Sequence, residues 1–360
     1  MTTTGTTRTP ERPIDDDRLH ALLGRFVGDL GATAGAAGLV IGHRLGLFRG
    51  LAEGPATPEE LAARTGTDPR YVAEWARAQA AGGYVTAEDG RYSLDPEQRF
   101  ALTDPDGPLY LPGAFVLALG ALRAEPRITE AFRTGRGMGW HEHDDDVFAG
   151  CEAFFRPGYL AHLVTNWIPA LDGVAGTLER GGTVADVGCG YGASTVLMAR
   201  AFPNATVTGS DYHGGSIDAA LQRAAAAGVA ENTRFEVAGA HDFSGSSYDL
   251  VTFFDCLHDM GDPLAAARHV RASLAPDGAW MIVEPIAADD PAGNMNPVGR
   301  LYYGFSTLLC VPNAISQPGG WALGAQAGEA AVADIADRAG FTRFRRAAET
   351  PFNAVYEARP

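Results

Sequence analysis

His258 stands in the segment Cys256-Leu257-His258-Asp259, directly after an apolar run that ends at Phe254. A hydroxyl nucleophile is poor until its proton leaves, and histidine titrates near neutral pH. His258 is therefore the candidate general base. Glu284 closes a later apolar run and is a candidate either to hold that base or to bind substrate. A further set of polar groups lies in Met138-Gly-Trp-His-Glu-His-Asp-Asp-Asp146. Its side chains, with His141, Glu142 and His143 foremost, read as a capping cluster before a helix from Val147, as a polar lid, or as metal ligands. Their place just ahead of the glycine-rich region favours a lid over a metal site, and no metal is expected. Glu142 and His143 are next in line for acid–base work if His258 is structural.

The spacing with the most information is Asp186-Val-Gly188-Cys-Gly190-Tyr-Gly192. These glycines separate a short β-branched run, Thr183 to Val187, from a helical run, Ala193 to Ala201. Glycine makes the tight strand-to-helix turn and lets a ligand approach with no Cβ in the way. The free N–H groups of the first helical turn face the same spot. A second strand leads into Asp211, roughly 20 residues past the glycines, where a nucleotide-binding sheet sets a carboxylate on ribose hydroxyls. The pattern is Gly-x-Gly-x-Gly, not the dinucleotide Gly-x-Gly-x-x-Gly. Asp186 just before it suits a ligand with an ammonium group and no pyrophosphate.

The elements around these residues alternate. Thr206 to Gly209 reads as a strand, Ser216 to Ala227 as a helix, and Thr233 to Ala238 as a strand. Asp249 to Phe254 is a strand, Pro263 to Leu274 a helix, and Ala279 to Glu284 a strand. The pattern predicts an α/β fold with a parallel sheet and helices on both faces, its ligands at the carboxyl ends of the strands. After a helix from Glu329 to Ala339, the runs Phe344 to Ala348 and Asn353 to Ala358 share so short a link that they must be antiparallel. Upstream, Leu109 to Phe132 reads as a helical connector, and Tyr159 to Leu178 as one helix entering the sheet domain. Asn296 to Gln317 is long and carries Tyr302, Tyr303 and Phe305; it reads as a pocket-forming insertion.

Asp186-Val-Gly-Cys-Gly-Tyr-Gly192 resembles the first motif of class I S-adenosylmethionine (SAM)-dependent methyltransferases. The resemblance runs on through Asp211, Asp242-Phe243, Tyr248-Asp249-Leu-Val and Cys256-Leu-His-Asp259, and covers most of the chain. The chain is similar to the winged-helix methyltransferases of high-GC bacteria, relatives of the small-molecule O-methyltransferases. The resemblance implies a Rossmann-like seven-stranded sheet with a terminal antiparallel hairpin, and SAM as cofactor. It places the methionine part of SAM at Asp186, Gly188 and Gly190, and the ribose at Asp211 with Tyr212 adjacent. It has Asp242 accept from the adenine amino group, Phe243 pack on the ring, and Asp255 lie close to the methyl group. His258 falls where the family carries its base; Met260 stands where a tryptophan is common, which bears on the substrate pocket. The activity implied is methyl transfer to a small-molecule acceptor, at a hydroxyl. N- or C-methylation and a SAM-sensing regulator are the alternatives, while the glycine spacing and terminal hairpin oppose an NAD-linked oxidoreductase.

The 360 residues carry a formal net charge of -16 and are 46% hydrophobic. An acidic chain argues against nucleic acid or an anionic membrane as partner. The four cysteines are scattered, without a Cys-x-x-Cys pair, which points to a reducing cytosol rather than disulfides or zinc. Met1 to Pro13 is polar, lacks the apolar stretch of a signal peptide, and is expected to be a disordered tail. Asp17 to Leu30 and Ala36 to Leu51 read as two helices. Thr57-Pro-Glu-Glu60 opens a third as a capping box, and Asp68-Pro69 a fourth. Tyr84 to Leu94 then reads as a hairpin turning at Asp89-Gly90. Together they make a winged helix-turn-helix, but Glu74 beside Arg70 and Arg77 gives its recognition helix a weak basic face. The expected organisation is a tail to residue 13, a winged-helix and homodimerisation domain over 14–107, a connector and lid over 108–158, and a SAM-binding catalytic domain over 159–360.

Overall fold

In the computed structural model, residues 13–360 are described; the reading of Met1 to Pro13 falls outside them except at its last residue. The chain forms two compact units, the second being Phe100–Pro360. The first unit opens with α1 (Asp16–Arg44), α2 (Leu47–Ala52), α3 (Pro58–Thr65) and α4 (Pro69–Ala81), followed by β1 (Thr86–Glu88) and β2 (Arg91–Ser93). Thr57 and Glu60 form the capping box of α3, and the Asp68 side chain caps α4. Pairing of Glu88 with Arg91 puts the hairpin turn at Asp89-Gly90. One expectation is corrected here: α1 is a single helix where two were read. Its glycines Gly24, Gly28, Gly31 and Gly35 cost helix propensity but do not break it.

The helices α5 (Pro96–Leu102), α6 (Pro112–Leu122) and α7 (Glu125–Thr134) lead to α8 (Asp145–His162). α6 and α8 lie backbone to backbone: a Cβ on Gly150 would stand 2.2 Å from the Leu117 nitrogen. The expected helix from Tyr159 to Leu178 is broken. A π-turn at Leu163–Trp167 and a 3-10 turn at Ile168–Ala170, with Pro169 in it, separate α8 from α9 (Val174–Glu179).

The sheet follows as β3 (Thr183–Val187), α10 (Ala193–Ala201), β4 (Thr206–Asp211), α11 (Gly214–Ala226), β5 (Thr233–Val237), β6 (Tyr248–Phe254), α12 (Pro263–Ser273) and β7 (Leu274–Pro285). Then come α13 (Pro297–Phe305), α14 (Val311–Ser316), α15 (Glu329–Ala339), β8 (Arg343–Glu349) and β9 (Asn353–Arg359). The strand order is β5-β4-β3-β6-β7-β9-β8, parallel except for β9, which runs antiparallel to both neighbours. Alternate strand residues feed two cores. Val184, Leu250 and Val283 join Trp167 and α10 on one face. Val187, Phe253 and Ile282 join Trp280, α12 and α15 on the other. Insertion residues 296–317 fold as α13, a π-turn and α14, carrying aromatic and aliphatic side chains over the carboxyl ends of the strands.

Candidate active site

The glycine turn lies at the carboxyl end of β3. Gly188, Gly190 and Gly192 all have left-handed backbones, with φ of 72°, 52° and 75°. A Cβ on Gly190 would meet no protein atom within 4 Å, so it would project into open space. The turn is pinned from β4: the Gly190 N–H donates to Asp211 Oδ2 at 3.0 Å, and the His213 N–H to Oδ1 at 2.9 Å. Each oxygen thus keeps acceptor capacity for a ligand hydroxyl. Burial raises the Asp211 pKa, against the two backbone donors. A half-buried carboxylate with acceptor capacity to spare, a glycine cradle and the free amides at the start of α10 are what SAM requires, and the residues present fit it.

Asp186 sits elsewhere than expected. It is 0% exposed and does not line the cavity. Ser194 and Thr195 donate their hydroxyls to its Oδ2 at 2.7 and 2.5 Å, and Thr252 donates to Oδ1 at 2.9 Å. The carboxylate ties α10 and β6 to β3 beneath the glycine turn, instead of presenting a charge to an ammonium group. The sequence reading missed all three; the hydroxyls of Ser194 and Thr195 in the first turn after the glycines are the signal that points to such a pairing, and Thr252 carries none.

The loop after β5 also departs from expectation. Asp242 is exposed and accepts the Gly239 N–H at 2.7 Å, a loop-closing bond. Phe243 is 2% exposed and packs in the core, edge-on to His269 at 4.5 Å. Neither lines the cavity, whose wall here is Ala238, Gly239, Ala240 and His241. Phe243 alternates inward because the loop carries its apolar side chain under the sheet edge with Tyr248.

At the end of β6 the acids converge. Asp255 has a φ of 50°, rare for a residue with a side chain and typical of functional sites. Its Oδ1 accepts from Asn353 Nδ2 at 2.9 Å, while Oδ2 is buried without a partner. Burial and the neighbouring Glu284 push its pKa well up. His258 is 5% exposed and lies behind the cavity wall. Its Nδ1 meets Glu284 Oε2 at 2.5 Å, and Glu284 Oε1 accepts the Leu257 N–H at 3.0 Å. Burial lowers the His258 pKa, but the Glu284 carboxylate and the Cys310 thiol raise it further than burial lowers it. Cys310 belongs to an apolar cluster with Trp140, Phe154, Tyr302 and Leu309, so the imidazole stands between its acid and that cluster.

Asp259 lines the cavity and accepts the Trp140 indole N–H at 2.7 Å. Burial raises its pKa to about 6, against the pull of His258 and the Trp140 bond. Trp140 belongs to the segment read as a lid. That segment is fastened to α14 by Met138 N–H to Pro312 O at 2.9 Å and Trp140 N–H to Asn313 Oδ1 at 3.1 Å. Glu142 points away, capping the Gly139 N–H and pairing with Arg127. His143 is buried, its ring nitrogens lack partners, and burial with Arg127 lowers its pKa to about 4. Neither residue lines the cavity. Among the described residues no cluster of three or more His, Cys, Asp or Glu could hold a metal.

A cavity of about 630 Å³ joins Gly188, Gly190, Asp211, Tyr212 and Asp255 with Trp140, Asp259 and Gln317. The family profile described as a methyltransferase domain matches residues 185–280, and that of the Rv2258c-like winged HTH domain matches residues 33–104. O-methyltransferase SfmM3 of Streptomyces lavendulae is 30% identical over 266 residues, covering 70% of this chain and 77% of the relative. The chain belongs to the SAM-dependent methyltransferases. SAM is their methyl donor and the cofactor of this one. The 27-O-demethylrifamycin SV methyltransferase of Amycolatopsis mediterranei is 31% identical over 118 residues, 32% of this chain and 43% of the relative. The chain thus spans less than half the length of that curated relative. Human N-acetylserotonin methyltransferase in complex with SAM shares the fold, with a TM-score of 0.69 at 16% identity, over 99% of each chain. No described helix of this methyltransferase is long and apolar enough to cross a membrane.

Proposed function

We propose that this chain transfers a methyl group from SAM to a hydroxyl of a small molecule, with His258 as general base. The observation that carries the reading is the His258–Glu284 pair, set at the ends of β6 and β7 beside the glycine cradle. When bound, SAM supplies the methyl group already activated as a sulfonium. The chain's own tasks are to hold the acceptor in line, remove its proton and exclude water. Asp211 accepts from the ribose hydroxyls, with Tyr212 beside it; Gly188 and Gly190 let the cofactor lie against backbone. Glu284 fixes the imidazole by accepting from Nδ1, which leaves the other nitrogen to take the acceptor proton. Trp140 closes the cavity against water through Asp259. Orientation of this kind is worth several kcal/mol of barrier, about 7–11 at its upper end.

A screen of hydroxylated, aminated and carbon acceptors with methyl-labelled SAM tests the reading. Label should appear on oxygen, and transfer only to nitrogen or carbon would move the assignment to those classes. The cofactor half is tested separately. Asp211→Ala should weaken SAM binding in calorimetry by about 1.5–3 kcal/mol, the worth of hydrogen bonds to a charged group. An unchanged affinity would take Asp211 out of the site.

We also infer a homodimer through the first unit. On α1, Leu19, Leu22, Leu23, Phe26, Val27 and Leu30 form one helical stripe, and all are exposed, Phe26 at 57% and Val27 at 66%. A stripe at this spacing wants a partner, and a symmetric pair is the commonest one. Light scattering at micromolar concentration should give twice the chain mass, and Phe26→Glu with Val27→Glu should return it to one. The winged-helix form does not favour DNA in this case, because Arg70 and Arg77 both pair with Glu74.

A further inference from the structure

Acids predominate on the cavity wall. Glu152, Asp211, Asp255, Asp259 and Asp262 line it, no arginine does, and the chain has no lysine. The arginines of the surrounding helices are turned into other pairs: Arg127 with Glu142, Arg123 with Asp144 and Asp146, and Arg156 and Arg223 with Glu152. The wall amides are also occupied. Asn313 Nδ2 and Gln317 Nε2 both donate to the Asp259 carbonyl, and the Trp140 indole donates to the Asp259 carboxylate. Of the histidines on the wall, His213 is hydrogen-bonded to Ser216 and stacked on Phe148 at 4.6 Å, while His141 and His241 are exposed. Among the acceptors left open are Oδ2 of Asp255, buried and unpartnered, and the Asp259 oxygen that Trp140 does not use. The remaining walls are aromatic, with Phe148, Phe155 and Tyr159 facing the same space.

Resting on the methyl-transfer reading, we propose that the acceptor is a flat, neutral or cationic molecule, best with a protonated amine, and that carboxylates, sulfates and phosphates are rejected. Asp255 and Asp259 set this preference. An acceptor anion would enter a site whose walls offer it no arginine or lysine and two acids with oxygens to spare, so its desolvation goes largely uncompensated by the protein. An ammonium group finds the reverse: free carboxyl oxygens and aromatic faces that attract a cation.

The test uses the full chain loaded with S-adenosylhomocysteine, a neutral thioether, so that no cofactor sulfonium contributes. Three probes of one shape are titrated by calorimetry: tyramine, 4-ethylphenol and 3-(4-hydroxyphenyl)propionate. The amine should bind about tenfold tighter than the propionate or better, with the neutral phenol between them. Asp255→Asn and Asp259→Asn, singly and together, keep the shape and should bring the amine down to the affinity of the neutral probe. Circular dichroism confirms that each variant is folded. A propionate that binds as well as 4-ethylphenol overturns the inference, and so does an amine preference that survives both substitutions. Failure of all three probes at millimolar concentration overturns it as well. Label transfer to carboxylate-bearing acceptors would sink this inference and leave methyl transfer standing, whereas loss of SAM binding would sink the reading beneath it.

Discussion

His258→Ala is expected to lower kcat by about 10²–10⁴-fold, the usual share of general base catalysis, with SAM affinity nearly unchanged. The two halves of this expectation come from different observations. The imidazole does not line the cavity in which the glycine cradle lies, so its removal takes nothing from cofactor contacts. Its place between Glu284 and Cys310 sets it against the apolar cluster that shares Trp140 and Cys151 with the cavity wall. The substitution also leaves Glu284 buried without its partner, so Tm must be followed alongside. His258→Gln, which can still bond Glu284, separates that loss of stability from the loss of chemistry. If both variants keep full activity, His258 is structural and Asp259, already on the wall, becomes the group to test.

The pH profile gives the same claim a second reading. A base works in its neutral form, and Glu284 holds His258 protonated well above the ordinary histidine range. The wild-type rate should therefore rise with pH, with its limb above about 6.5. Glu284→Gln removes the Glu284 charge and leaves only Cys310 to oppose burial, which lowers the pKa. In that variant the limb should shift to lower pH while kcat falls, because the ring is no longer fixed. A merely structural Glu284 would change stability without moving the limb.

How far these roles could be read from sequence depends on whether they are local. That Gly188, Gly190 and Asp211 come together was legible because a strand, a turn and a helix force their neighbours into one place, and the next strand ends beside them. The terminal antiparallel pair was legible from link length alone, and β8 and β9 pair in that way. The unity of α1 was not, because glycine lowers helix propensity everywhere but does not say where tertiary packing will carry the helix through. Phe243 was misplaced because an aromatic residue after a strand can serve a ring or a core equally well, and the turn of the loop at Gly239 to Phe243 decided for the core. The Trp140–Asp259 and Asn353–Asp255 bonds join residues far apart in the chain and have no spacing to reveal them. Asp255 itself was placed by resemblance near the methyl group, but its left-handed backbone and lone Oδ2 are visible only in three dimensions.

Asp186→Ala should be among the most destabilising substitutions in the second unit, at about 2–5 kcal/mol. The spacing before the glycines suggests a contact with ligand, whereas the structure gives this acid three hydroxyl donors and no solvent exposure. Alanine strands the Ser194, Thr195 and Thr252 hydroxyls in a closed core, each at a cost of about 1–3 kcal/mol. Part of that is offset, because burying the carboxylate was itself unfavourable, as its raised pKa records. For a domain of this size the loss corresponds to a fall in Tm of about 2–4 °C per kcal/mol. Asp186→Asn should cost less, since its remaining oxygen still accepts and the hydroxyls can rotate to receive its N–H groups. SAM affinity should fall in both variants, and in the same order as Tm, because the acid positions α10 and the glycine turn without touching the ligand. An alanine variant with wild-type Tm and abolished SAM binding would show the opposite: that the carboxylate turns outward to the cofactor and the three hydroxyls find other partners.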